Sequence, residues 1–315
     1  LLLTIDSPDF CLRVAKKARA GAPQIPIAHW VCPSVWAWRP KRARRMAPHV
    51  DRVFCLLPFE PEELRKLHGP TGVYVGHPLI ERLNDLRPGS ADDIAARADV
   101  DTPEILLLPG SRSSEAGRFL GLFGDVATRI AEANPKTRFT LPAVDHLLPL
   151  IENATRNWPV RPNIVSGEAV KLASFRRARA ALAASGTVTL ELALAKIPTV
   201  AVYRMAEWEA AIARRVIRVS SVLLPNLILG RNIVPELLQE NFTVDRCVAA
   251  LTPLIAETPA RREQLDALLE IGNSPQKKTL FFALKQLPKR SSLEHLQDLL
   301  DHIVKLLKLS GRTTI

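Results

Sequence analysis

An apolar run from Ile105 to Leu108 stops at Pro109-Gly110 and gives way to Ser111, Arg112 and Ser113, after which an amphipathic pattern begins. A strand that ends in a small-residue turn and feeds a helix is suited to hold an anion. Backbone N–H groups and the positive end of the helix dipole converge there. Arg112 adds a permanently charged fork that matches phosphate oxygens. A second turn of this kind, Ala184-Ser185-Gly186-Thr187, follows the small apolar run at 180–184. Gly186 would let a ligand approach the backbone closely. Thr187 and Glu191 share a face of the helix that follows. Glu191 could accept hydrogen bonds from two ribose hydroxyls, or it is a solvated side chain on a capped helix. Two such turns in one domain suggest a bound diphosphate, lined by Gly110, Ser111, Arg112, Ser185, Gly186, Thr187 and Glu191.

Carboxylates supply the complementary chemistry. Asp6 and Asp9 follow the apolar run that opens the chain, in Ile5-Asp6-Ser7-Pro8-Asp9-Phe10. At a strand's carboxyl end, Asp9 could act as general base on an acceptor hydroxyl, or it caps the next helix. Trp36 and Trp38 precede Arg39, Lys41, Arg42, Arg44 and Arg45. Trp beside five cations suits contact with an anionic lipid surface, or the cations form a solvated helix face over core Trp residues. Asn226 lies in the apolar stretch Val222–Leu229 and must find partners, either backbone groups or a sugar or phosphate. His77 could line a cleft or serve the interior. No cluster of His, Cys, Asp and Glu has metal-ligand spacing along the chain, and neither G-x-S-x-G nor G-K-[ST] occurs. The expectation is a site without metal or cofactor.

Alternating strands and helices must position these groups. Strands are expected at 1–5, 25–31, 51–56 and 72–75, with helices near 10–20, 39–47 and 60–68. A linker with a short helix, 91–98, lies between Pro88-Gly89-Ser90 and Asp101-Thr102-Pro103. A second series has strands at 104–108, 137–141, 162–165, 180–184 and 198–203, with helices between. Short β-rich runs separated by helices of ten or more residues imply right-handed βαβ units and parallel sheets. The fold class is α/β: two Rossmann-like domains facing a cleft, the first incomplete. Their expected bounds are 1–95 and 96–270, followed by an atypical helical tail, 271–315. In the tail Ser291 and Glu294 form a capping-box pattern, and Leu293, Leu296, Leu300, Ile303 and Leu307 recur at helical spacing.

Composition narrows the partners. The 315 residues are 47% hydrophobic, enough for two cores, and carry a formal charge of +11, which favours acidic partners. Aromatics are only 5% and do not alternate with basic residues, so no nucleic acid is expected. The four cysteines, Cys11, Cys32, Cys55 and Cys247, form no C-x-x-C pair and read as reduced thiols of a cytosolic protein. No apolar run is long enough to span a membrane, and there is no signal peptide. The chain opens without Met in Leu1-Leu2-Leu3-Thr4-Ile5, a run that reads as a buried strand, so a preceding N-terminal portion is expected.

Six segments together resemble the lipid-A-disaccharide synthase family of inverting GT-B glycosyltransferases. They are Ile5-Asp6-Ser7-Pro8-Asp9-Phe10, Pro33-Ser34-Val35-Trp36-Ala37-Trp38, Val75-Gly76-His77-Pro78, Leu107-Leu108-Pro109-Gly110-Ser111-Arg112, Ala184-Ser185-Gly186-Thr187 with Glu191, and Leu224-Pro225-Asn226-Leu227. The resemblance covers about residues 1–270. It implies transfer of the sugar of UDP-2,3-diacylglucosamine to the 6-hydroxyl of 2,3-diacylglucosamine 1-phosphate, on the cytoplasmic face of a Gram-negative inner membrane whose anionic surface is a further partner. It makes Asp9 the base and Arg112 a diphosphate contact. It sets Ser185, Gly186, Thr187 and Glu191 at the UDP and Asn226 in the active site, and it leaves a homodimer open. The family's opening Gly-rich loop, Gly-Glu-x-Ser-Gly-Asp, does not occur in this chain. Residues 271–315 do not read like the family's C-terminal segment; a shifted frame or a lineage-specific tail would account for that. Two rivals stand beside this reading: a nucleotide-sugar epimerase of the same form, and a non-catalytic binder of membrane surfaces.

Overall fold

The structure, a computed structural model, describes residues 1–216 and 219–273. The helix expected over 291–307 lies outside the described residues. Two compact units are present, one built mainly on Leu1–Pro78 and the other on Leu79–Ala210 and the described residues after Ser220.

The first unit is a four-stranded parallel sheet in sequence order: β1 (Leu2–Ile5), β2 (Ile27–Trp30), β3 (Arg52–Cys55) and β4 (Thr71–Tyr74). The crossovers carry helices α1 (Pro8–Gly21), α2 (Lys41–Met46) and α3 (Glu60–Lys66). Successive strand residues point to opposite faces. Ile27, Val53 and Cys55 therefore join Ala15, Ala43 and Leu64 in one core, while Ala28, Trp30 and Phe54 join Val75 in another. Ile5 pairs with Trp30, so the carboxyl ends of β1 and β2 lie side by side.

The second unit contains α4 (Leu83–Leu86), α5 (Ala91–Ala98), β5 (Glu104–Leu108), α6 (Ser113–Ala133), β6 (Arg138–Ala143), α7 (Leu148–Thr155), β7 (Asn163–Ser166), α8 (Glu168–Arg177), β8 (Ala180–Ala184), α9 (Thr187–Leu194) and β9 (Thr199–Tyr203). It continues with α10 (Glu207–Val216), which crosses the unit's limit at Ala210, then α11 (Leu224–Leu229), β10 (Glu236–Leu238), α12 (Val244–Ile255) and α13 (Pro259–Asn273). Its parallel sheet has the order β10-β9-β8-β5-β6-β7. From β5 the chain winds outward through β6 and β7, then returns to the other side of β5 for β8, β9 and β10. This is the Rossmann order, and the switch point lies between β5 and β8. Ile105 and Leu107 pack under α6, α7 and α12, whereas Leu106 and Leu108 pack under α8, α9 and α13.

The linker helix expected over 91–98 belongs to the second unit, and the division falls at Pro78–Leu79 rather than between residues 95 and 96. Burial explains the shift. Leu79 and Leu86 enter the second unit's core. Arg87 Nε donates to Leu194 O at 2.9 Å and Arg97 Nη1 to Ala195 O at 2.7 Å, closing the carboxyl end of α9. Pro88-Gly89-Ser90 is a cap, with Ser90 Oγ accepting from Asp93 N at 3.1 Å. Two rigid-looking punctuators thus start α5 rather than separate domains.

Candidate active site

At the switch point the two small-residue turns are neighbours. Leu108 pairs with Ala183, so β5 and β8 deliver Pro109-Gly110-Ser111-Arg112 and Ser185-Gly186-Thr187 to adjacent places at their carboxyl ends. Gly110 has φ 106°, and a Cβ there would stand 3.0 Å from Glu115 Oε2 and 3.7 Å from Ala184 Cβ. Only glycine fits this turn without strain. Gly186 is extended instead, and a Cβ would meet open space. Its value is the open surface it leaves above the backbone. Neither Arg112 nor Gly186, the residues that precede α6 and α9, caps its helix with a side chain, and the positive ends of both helix dipoles lie at these turns.

Arg112 is exposed and its Nη1 lies 2.8 Å from Glu115 Oε1. The Glu115 carboxylate raises the Arg112 pKa and anchors one edge of the fork, leaving its other donors for an anion. Glu191 is buried, at 9% exposure, which rules out the solvated alternative. Its Oε2 accepts from Lys171 Nζ at 2.7 Å, and Lys171 in turn lies 5.4 Å from the Phe175 ring centre. Held this way, the carboxylate keeps a fixed orientation and still has Oε1 outside the pair.

Asn226 is 2% exposed and its carboxamide is spent within the chain. Oδ1 accepts from Ile233 N at 3.0 Å and Val234 N at 2.9 Å, while Nδ2 donates to Val234 O at 3.0 Å and Ser221 Oγ at 3.2 Å. The backbone alternative describes it: Asn226 ties the 231–234 segment to α11.

In the first unit, Asp9 is not a cap. The helix begins at Pro8, behind Ser7. The Asp9 side chain is 71% exposed and Oδ1 accepts from Arg42 Nη2 at 2.5 Å, with Arg39 Nη1 at 3.9 Å. Four non-glycine residues around it have left-handed backbone: Asp6 (φ 49°), Ser7 (φ 41°), Val31 (φ 75°) and Arg39 (φ 50°). Such strain collects where a fold holds residues for function. The Trp alternatives divide. Trp36 is half-buried, edge-on to Phe59, and donates through Nε1 to Glu60 Oε1 at 3.2 Å. Trp38 is exposed beneath the Arg39 guanidinium, 4.2 Å away. Lys41, Arg44 and Arg45 are exposed on α2, whose Ala43 and Met46 face inward. His77 is buried, which lowers its pKa to about 4.

A profile of the lipid-A-disaccharide synthetase family (LpxB) matches residues 1–280. The chain belongs to this family. Lipid-A-disaccharide synthases from Rhodopseudomonas palustris strain HaA2 and Nitrobacter hamburgensis are 51% and 49% identical to it over 273 and 271 residues. These alignments take in 87% and 86% of this chain and 69% and 68% of those relatives. As a member of the family the chain is a glycosyltransferase of lipid A biosynthesis that uses a UDP-sugar. Among solved structures, a Staphylococcus aureus MnaA–UDP complex shares the fold at TM-score 0.56 and 13% identity, over 84% of this chain and 69% of that one. Trehalose-6-phosphate synthase OtsA does so at TM-score 0.56 and 11% identity, over 91% and 72%. Two Rossmann-like units in succession are the GT-B architecture, as expected. The family match runs ten residues into the segment assigned to the tail, and no helix of the described residues is long and apolar enough to cross a membrane.

The synthetase fold also assembles groups that spacing along the chain did not reveal. Lys171 meets Glu191 across α8 and α9, with no local signal for the pairing. Cys32, Cys55 and Glu60, all buried, bring ligand atoms within 4.8 Å of one another. The hydrogen bond to Cys55 and burial raise the Cys32 pKa. Glu60 ends the apolar run Leu56-Leu57-Pro58-Phe59 and opens the acidic first turn of α3 with Glu62 and Glu63, so nothing in the sequence marked it as the buried one of the three.

Proposed function

We propose that the chain transfers the glucosamine unit of UDP-2,3-diacylglucosamine to the 6-hydroxyl of 2,3-diacylglucosamine 1-phosphate, giving a β-1,6-linked acylated disaccharide 1-phosphate and UDP. One observation carries the reading: two uncapped helix starts and Arg112 converge at the switch point of the second unit. The departing diphosphate gains negative charge as the glycosidic bond breaks. Fixed peptide donors and a guanidinium stabilise that charge at little reorganisation cost. Glu191, held by Lys171, would take the ribose hydroxyls. Asp9 would accept the proton of the attacking 6-hydroxyl, and inversion follows from a single in-line displacement. Asn226 serves by fixing the 231–234 segment rather than by touching substrate. Trp38 with Lys41, Arg44 and Arg45 offers an aromatic and cationic strip to an anionic membrane surface.

Product analysis tests the reading. Replacing Arg112 by Ala should lower kcat/KM by roughly 100-fold to 1,000-fold while the circular dichroism spectrum stays unchanged. Near-normal rates would refute it. Epimerised sugar released without an acylated acceptor would favour the epimerase alternative.

A further inference from the structure

Five cations follow Trp38, and they do not behave alike. Lys41, Arg44 and Arg45 stand exposed on α2. Arg39 and Arg42 turn instead to one carboxylate, that of Asp9, at 3.9 and 2.5 Å. The Arg42 side chain is only 16% exposed, so it is held against the unit rather than waving in solvent. Arg39 is fixed by the Trp38 face beneath it and by its left-handed backbone. Two guanidinium groups on one carboxylate leave a surplus positive charge at an oxygen that, in the reading above, must receive a proton. Arg42 takes one acceptor position of Oδ1, so a substrate hydroxyl must share the carboxylate with it.

We infer that Arg39 and Arg42 form a phosphomonoester site for the acceptor, and that the acceptor's phosphate draws these guanidinium groups off Asp9. This rests on Asp9 being the base. A phosphomonoester carries about 1.5 to 2 negative charges near neutral pH and three acceptor oxygens. It is thus a stronger partner for two forks than a single carboxylate. The base is paired in the free protein and loses that partner to the substrate that needs it. The acceptor phosphate, distant from the reacting hydroxyl, becomes a condition for turnover.

Titration calorimetry with glucosamine 1-phosphate tests the site without requiring catalysis. Arg42→Gln should weaken binding about tenfold, whereas Asp9→Asn should strengthen it several-fold, because it removes the competing carboxylate. Binding unaffected by Arg42→Gln, or no tighter in Asp9→Asn, overturns the inference. So does an absence of sugar phosphate binding in a protein whose sedimentation with phosphatidylglycerol vesicles depends on Arg42, since the pair would then serve a lipid headgroup. In turnover, Arg42→Gln should cost the phosphorylated acceptor about 100-fold in kcat/KM and the dephosphorylated acceptor little. Equal losses on both would mean a merely structural role. If the wild-type protein turns over neither acceptor, the transferase reading fails, and the calorimetric result still decides the phosphate site.

Discussion

Glu60 shows how a single buried group writes itself into the protein's pH response. Its carboxylate is 3% exposed and accepts from Leu57 N at 3.0 Å and Trp36 Nε1 at 3.2 Å. Burial outweighs these donors and raises its pKa to about 7. The folded state therefore holds the proton more tightly than the unfolded chain. Its stabilising contribution is complete below about pH 4.5 and is lost as pH rises through 7. His29 and His77, both lowered to about 4 by burial, act in the opposite sense. Their contribution is present above 6.5 and disappears as pH falls toward 4. Glu60→Gln isolates the first effect: the variant's stability relative to wild type should rise between pH 5 and 8, by up to about 3 kcal/mol. Paired thermal melts across that range check it, and a constant offset would contradict it. At this scale the sequence was legible where chemistry is local. Gly110 and Arg112 could be placed from the turn alone. Asp9 was ambiguous because the cap is decided by backbone angles, although Ser7-Pro8 already marked the helix start. Lys171 was invisible, since its partner is twenty residues away and the pairing depends on how two helices pack.

Elements were easier to read than their boundaries. Each strand of the two expected series lies close to its apolar run; β2, β3, β5, β8 and β9 are buried almost throughout, as inner strands of a parallel sheet must be, whereas the edge strands β1, β4 and β7 are only partly buried. β10 was not expected: three residues, Glu236–Leu238, carry too little pattern. The division between units was displaced because Pro and Gly signal a turn without saying which core the next helix joins. Arg179 belongs at this scale too, since it binds three elements of structure together while fully buried. Its Nε donates to Ile255 O, its Nη1 to Arg97 O and Ala98 O at 3.1 and 3.2 Å, and its Nη2 to Glu257 at 2.6 Å. These contacts join the end of α5 and the end of α12 to the start of β8. Arg179→Ala should destabilise the second unit by roughly 3 to 5 kcal/mol, because three carbonyls lose their donor in the interior. Urea unfolding would show it; a loss below about 1 kcal/mol would mean that water replaces the side chain.

Across the whole molecule, a net charge of +11 gives a long-range pull toward anionic surfaces and nucleotides alike. The exposed cations of α2 should concentrate that pull where Trp38 can insert. Each contributes about 1 kcal/mol near an anionic leaflet, so replacing Lys41, Arg44 and Arg45 together by Gln should lower partition onto phosphatidylglycerol vesicles roughly 100-fold. Salt should narrow the difference, and UDP affinity should not change. Cosedimentation at low and high salt measures both; undiminished binding of the triple variant would remove α2 from the membrane account. Deeper in the molecule, we propose that the β5 and β8 turns of the second unit, with Arg112, hold a uridine diphosphate without help from a divalent cation. The direct test is calorimetric titration with UDP in the presence of EDTA, on the wild type and on Arg112→Ala. The expected result is saturable one-to-one binding by the wild type, weakened at least about tenfold in the variant. No heat of binding, binding abolished by EDTA, or equal affinity in the variant would contradict it.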